Sequence, residues 1–181
     1  MAPIADLQLA DWKWMLDVNL WGVVHGVNAF LPLLRNNAEG GHIVNTASIG
    51  GLAPGPGLGA YAVSKFGIVA LTEVLAMELA AQDSPVGASV IVPGTVRTGI
   101  SDSLRNRPAE ATGGALSNTD LEAGPDLGMK WLEPDDVGRI LIDAMAAGEL
   151  CVVTHPEGWP MVERRHQAIA DAFAAAAAAR G

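Results

Sequence analysis

With 181 residues, half of them hydrophobic and 17% charged, the chain amounts to one domain and is too apolar for general disorder. Only 11 Lys and Arg stand against 20 Asp and Glu, a formal net charge of −9 that argues against nucleic-acid or anionic-membrane surfaces, which need clustered cations. Cys151 is the single cysteine, so an intrachain disulfide and a thiolate zinc cluster are both excluded, and a reducing, cytoplasmic setting is expected. Met1 to Asp6 lacks the cationic start of a secretory signal. Lys65, Glu73 and Glu78 are expected to interrupt the most apolar region short of the roughly 18 residues a membrane span needs.

The first predicted element is a long helix over Leu9–Leu34, capped by Asp11, with Trp12, Leu16, Leu20, Val23, Val27 and Leu31 at helical spacing. Gly22 and Gly26 weaken it unless close packing favours a missing side chain. A strand follows over His42–Ser48, where the adjacent Ile43 and Val44 point to opposite faces, as in a parallel sheet covered on both sides. The Gly- and Pro-rich stretch Gly50–Gly59 reads as a loop, Ala60–Ala81 as a second long helix, and Val86–Val92 as a strand stopped by Pro93-Gly94. Residues 95–132 are irregular, as expected of a lid or binding loop. Glu133-Pro134-Asp135-Asp136 starts a helix reaching Ala147. Leu150–Thr154 is a third strand, and a last helix runs from Trp159 to Arg180 through the alanine run Ala174–Ala179. This order predicts an α/β fold with a parallel sheet.

Both long helices are apolar around most of their circumference. One face can pack on the sheet, and the remainder calls for a second copy, so a homo-oligomer built on helices 9–34 and 60–81 is expected.

Tyr61 is the only tyrosine, placed at the mouth of the second helix, with Lys65 one turn further on. That spacing lets the ammonium approach the phenol hydroxyl. A phenol of pKa about 10 must fall by about three units, roughly 4 kcal/mol, to act as a base near neutrality. A cation about 4 Å away at an effective dielectric of about 20 supplies roughly that much. Ser48 closes the preceding strand at the edge where parallel sheets present ligand-binding groups, so its hydroxyl can hold a substrate oxygen near Tyr61.

Asn45-Thr-Ala-Ser48, Tyr61-Ala-Val-Ser-Lys65, Pro93-Gly-Thr-Val-Arg-Thr98 and Asp17-Val-Asn-Leu-Trp-Gly22 together resemble the signatures of the short-chain dehydrogenase/reductase family, in order and spacing, over essentially the whole chain. The resemblance implies a single partial Rossmann-type domain over 1–181, a doubly wound parallel sheet reduced to its C-terminal catalytic half, with residues 95–132 as substrate lid. It implies Tyr61 as general acid/base, Lys65 lowering its pKa and binding the nicotinamide ribose, Ser48 orienting the substrate, and Asn19 holding a water linked to Lys65. Pro93, Gly94, Val96 and Thr98 would meet the nicotinamide end of NAD or NADP. The implied reaction is hydride transfer between that cofactor and a secondary alcohol or ketone.

The family's glycine-rich turn, its cofactor selector and its Asn-Asn-Ala-Gly stretch do not precede Asn19 here. Gly57-Leu-Gly-Ala-Tyr-Ala62 fits G-x-G-x-x-A but does not come directly off a strand, as a phosphate-binding turn should. Two explanations stand: a piece of a longer protein, the favoured one, or a short chain complete in itself with weak cofactor binding. The alternative function is a non-catalytic remnant acting as a helix-pairing partner. Beside the sharp readings stand plain ones. His25, His42, His155 and His166 read as structural or exposed rather than metal ligands, Cys151 as a small buried apolar residue, the tryptophans as core or interface, and Arg105 and Arg107 as solvated loop charges.

Overall fold

The apolar spacing from Leu9 onward does form one continuous helical rod, but not a uniform one. In the computed structural model, which describes residues 1–111, 113–124 and 126–180 (Glu110 by its backbone alone), the rod is α1 (Leu9–Leu16), a π turn (Asp17–Trp21) and α2 (Gly22–Arg35). Its cap is Gln8, whose backbone is extended at φ −88° and ψ 162°. Asp11, expected at that position, sits three residues in and accepts the Gln8 N–H at 3.0 Å. At Gly26 an added Cβ would meet nothing within 4 Å, so no close approach within this chain accounts for that glycine.

Three strands form the sheet: β1 (Gly41–Thr46), β2 (Val86–Val92) and β3 (Cys151–Val153), all parallel and in the order β1-β2-β3. Ser48 lies two residues beyond β1, not within it. It keeps an extended backbone and caps a short 3-10 turn over Ile49–Gly51. Ile43 packs with Leu75 and Leu79 of α3 (Gly59–Ala81) and with α2, while Val44 turns to the opposite face beside Val137, Ile140 and Ala144 of α4 (Pro134–Ala146). The expectation of a sheet covered on both faces holds, and the layers are α2 with α3, then the sheet, then α4. β3 is short and one-sided. Val152 is fully buried, but Cys151 and Val153 face outward, so the cysteine is exposed rather than the buried apolar residue expected.

By length and composition α3 suffices to cross a membrane, despite Lys65, Glu73 and Glu78. Here it is the core helix, packing Ile68, Val69, Leu75 and Leu79 against β1 and β2. α5 (Trp159–Ala178) leans on α3 through Arg165, whose guanidinium lies 4.8 Å from the Phe66 ring centroid, and its alanine run is exposed. Trp21 and Trp159 are about half exposed and belong to no core cluster.

The segment 95–132 contains more order than its sequence predicts. It holds 3-10 helices at Gly99–Asn106 and Ala109–Ala111, and its two ends meet where Leu132 N–H donates to Thr95 O and Arg97 N–H to Leu132 O. Arg107 is not a solvated charge. It pairs with the fully buried Asp11 at 2.6 Å and lies 5.4 Å from the Trp14 ring centroid, fixing the segment to α1.

Candidate active site

α3 begins as soon as the Gly- and Pro-rich loop ends, which puts Tyr61 on its first turn and Lys65 on its second. Gly51 lets that part of α3 close on the 3-10 turn after Ser48. An added Cβ there would stand 2.8 Å from Lys65 O, a distance no real Cβ keeps. The approach brings the Tyr61 ring and the Ser48 hydroxyl to the same spot, where a Cβ added at Gly50 would lie 3.2 Å from Tyr61 Cε1 and 3.6 Å from Ser48 Oγ. Ser48 Oγ accepts the Gly50 N–H at 3.1 Å and has a long contact of 3.4 Å to Pro93 O. Ser48, Tyr61 and the Pro93–Gly94 turn therefore meet beyond the carboxyl ends of β1 and β2, the edge where parallel sheets carry their sites.

Lys65 Nζ lies 5.7 Å from the Tyr61 ring centroid and donates to Thr46 O at 3.0 Å. Burial lowers its pKa from the ordinary lysine value to about 8. Burial raises the Tyr61 phenol above its ordinary value, and the Ser48 hydroxyl acts against that rise. The expected depression of the phenol by the ammonium is thus not what these groups produce as they stand, because the lysine reaches across the ring to a strand carbonyl.

Asn19 lies on the π turn of the helical rod. The wider turn faces its amide to Ser64 Oγ at 3.3 Å and Met15 Sδ at 3.0 Å, and Ser64 in turn donates to Tyr61 O at 2.6 Å. Asn19 therefore bonds Ser64, the residue before Lys65, and its amide donates to Ser64 and Met15 rather than to Lys65. π turns are rare and recur at functional positions; the glycines at 22 and 26 hinted at irregularity but not at its form. Val96 pairs with Leu132 at the neck of the 95–132 segment, and Thr98 caps Gly99–Asn106 without a side-chain cap bond, its side chain exposed.

His155, read from the sequence only as structural or exposed, is structural, and the sequence did not show what it holds. It stands two residues beyond β3, is 1% exposed, and bonds Gly94, Thr95 and Lys130. Its place after a parallel strand was the available signal.

A family model described as short chain dehydrogenase matches residues 1–109. The chain belongs to this family. A short chain dehydrogenase/reductase from Burkholderia phymatum, crystallised in complex with NAD, is 34% identical, with a TM-score of 0.81 over 93% of this chain and 62% of its own. The apo form of LigO from Sphingobium sp. is 28% identical, with a TM-score of 0.71 over 97% of this chain and 56% of its own. The C alpha-dehydrogenase of Sphingobium sp. is 29% identical over 174 residues, 95% of this chain and 56% of that relative. These likenesses confirm the Rossmann-type α/β fold, and the chain spans little more than half the length of these short-chain dehydrogenases.

The residues present fit the nicotinamide end of the family's cofactor. A lysine amine with a single carbonyl partner and an exposed threonine hydroxyl flank a backbone turn at the sheet edge. Gly57-Leu-Gly-Ala-Tyr-Ala62 enters α3 only after the 3-10 turn Ile49–Gly51 and the Gly- and Pro-rich loop, not directly from a strand as a pyrophosphate-binding turn does.

Proposed function

We propose that this chain carries the catalytic end of a nicotinamide-dependent oxidoreductase acting on a secondary alcohol or ketone, with Tyr61 as its proton-transfer group. The observation that carries the reading is the convergence of Ser48 and Tyr61 around Gly50 beside the Pro93–Gly94 turn, with the Lys65 ammonium over the phenol ring. The cofactor, NAD or NADP, would be held by Tyr61, Lys65, Pro93, Gly94, Val96 and Thr98, and when bound it supplies or accepts the hydride. Ser48 Oγ–H holds the substrate oxygen, and Tyr61 Oη gives that oxygen a proton in reduction or takes one in oxidation. Because burial raises the phenol above its ordinary value, Tyr61 rests protonated near neutrality. Asn19 Nδ2 is committed to Ser64 and Met15, which leaves Oδ1 to hold a water that would link it to Lys65. The exposed, unpaired Cys151 suits a reducing compartment.

Reduced-nicotinamide fluorescence tests both halves of this reading. Wild type and Tyr61→Phe should both bind NADH or NADPH saturably, the variant somewhat less tightly. Turnover with a panel of small ketones should fall at least about a hundredfold in Tyr61→Phe. Undiminished turnover would remove Tyr61 from the chemistry, and absence of saturable binding would remove the enzyme.

A further inference from the structure

One imidazole joins three segments at the carboxyl edge of the sheet. His155 Nδ1 lies 3.0 Å from the Gly94 nitrogen and 2.6 Å from Thr154 Oγ1, and Nε2 lies 3.1 Å from Thr95 O and 2.9 Å from Lys130 O. Backbone groups fix where the ring carries its proton. An amide N–H can only donate, so Nδ1 is bare; carbonyls can only accept, so the proton is on Nε2 and points at both. The Thr154 hydroxyl then donates to Nδ1 as well. The ring also lies flush on the turn, since a Cβ at Gly94 would stand 2.8 Å from His155 Cγ and 2.8 Å from Met129 Sδ.

The two carbonyls belong to opposite ends of the 95–132 segment. Nε2–H therefore closes the neck of that segment beside the Thr95–Leu132 and Leu132–Arg97 backbone bonds, while Nδ1 fixes the turn at the end of β2. Pro93 O, one residue before that turn's amide, receives the Ile49 N–H at 2.8 Å next to Ser48. A displacement of the segment's root thus reaches the Pro93–Gly94 turn through a ring that has no free bonding position.

We propose that His155 is a positioning residue that couples the Pro93–Gly94 turn to the root of the 95–132 segment, Nδ1 holding the first and Nε2 the second. The coupling itself does not rest on the function proposed above. A histidine that merely fills space would show no dependence on which nitrogen is mimicked, and two variants separate the cases. His155→Asn puts an amide oxygen near the position of Nδ1 and offers nothing at Nε2; His155→Gln puts an amide N–H near Nε2 and gives up the acceptor.

Amide exchange, read residue by residue by NMR on the ligand-free 181-residue chain, is the measurement. In His155→Asn, Gly94 should stay protected while Arg97 and Leu132 exchange about tenfold faster or more; in His155→Gln the pattern should reverse. Equal loss at both places in both variants would overturn the proposal. Should neither variant fold, the long-range ¹H–¹⁵N spectrum of wild type decides it: a proton on Nε2 is required, and a proton on Nδ1 overturns it. Wild type that fails to bind NADH while the exchange pattern divides as stated would sink the function and support the coupling. NADH binding without that division would do the opposite.

Discussion

Lys65 is the residue whose chemistry differs most from its sequence expectation. Spacing correctly put it one turn from Tyr61, but spacing says nothing of the Thr46 carbonyl that its amine meets at 3.0 Å. Ser48 and Tyr61 were legible because their partners lie in the same short stretch of chain. His155 was not, because its partners are backbone groups from residues 94, 95 and 130, which no side-chain pattern marks. The burial that lowers Lys65 to about 8 has a consequence for stability. Between about 8 and the ordinary lysine value near 10.4, the unfolded chain binds a proton that the folded one has released, so stability rises with pH through that window. Below it, the folded state bears the full cost of a buried ammonium. Lys65→Met removes this titration and leaves the others in place. Wild type should therefore gain on Lys65→Met, by about 1–2 kcal/mol once the amine's access to solvent is allowed for, as the pH rises from 8 to 10.5. Urea unfolding at three pH values measures the difference, and a constant gap would mean that Lys65 is not buried as described.

Among the elements, periodicity found every long helix and all three strands, because apolar spacing determines which face meets the core. It missed the π turn, whose apolar spacing departs little from that of an α-helix. It also missed the order in 95–132, which local hydrophobicity does not specify. That order is anchored by a distant charge: Arg107 Nη1 bonds Asp11 Oδ1 at 2.6 Å, Arg107 Nε bonds Ala111 O at 2.6 Å, and Ala115 N–H bonds Asp11 Oδ2 at 2.9 Å. Burial acts to raise the Asp11 pKa, but the Gln8 and Ala115 amides and the Arg107 guanidinium outweigh it and hold the carboxyl below its usual range. Arg107 Nη2 and Trp14 Nε1 are buried without hydrogen-bond partners, so the pair is not fully compensated. Asp11→Ala would leave a buried, uncompensated guanidinium and should cost about 3–5 kcal/mol. Replacing both partners, as in Asp11→Leu with Arg107→Met, should cost far less. Denaturant midpoints of the two variants should differ accordingly, and equal midpoints would show that the anchor is a surface pair after all. With Asp11 held low, its contribution is present at neutral pH and lost as the pH falls through its folded value.

At the scale of the whole molecule, association is the property that helix composition suggested and that a single chain leaves unfulfilled. Phe30 and Leu33 on α2 and Val63, Val74 and Met77 on α3 are about half or more exposed, and between these helices runs a groove of about 470 Å³ lined by Val27, Leu31, Ala70, Leu71, Val74, Leu75 and Glu78. A continuous apolar face of this kind is uncommon on a monomer. We propose a second copy as its occupant, which buries the same face from both sides. Each copy carries a formal charge of −9, so approach is opposed at long range and driven only by apolar contact. Salt screens the repulsion without weakening burial, so sedimentation equilibrium should give a tighter dimer, or a higher oligomer, as the salt is raised from about 50 to about 500 mM. Val74→Glu with Met77→Glu puts carboxylates beside Glu78 on the half-exposed face and should yield monomer at every salt concentration, with the helical circular dichroism of the chain retained. Wild type that sediments as a monomer at about 100 µM in high salt would show that the face belongs to some other partner. Association that weakens as salt is added would show that charge pairing, and not the apolar face of α2 and α3, holds the copies together.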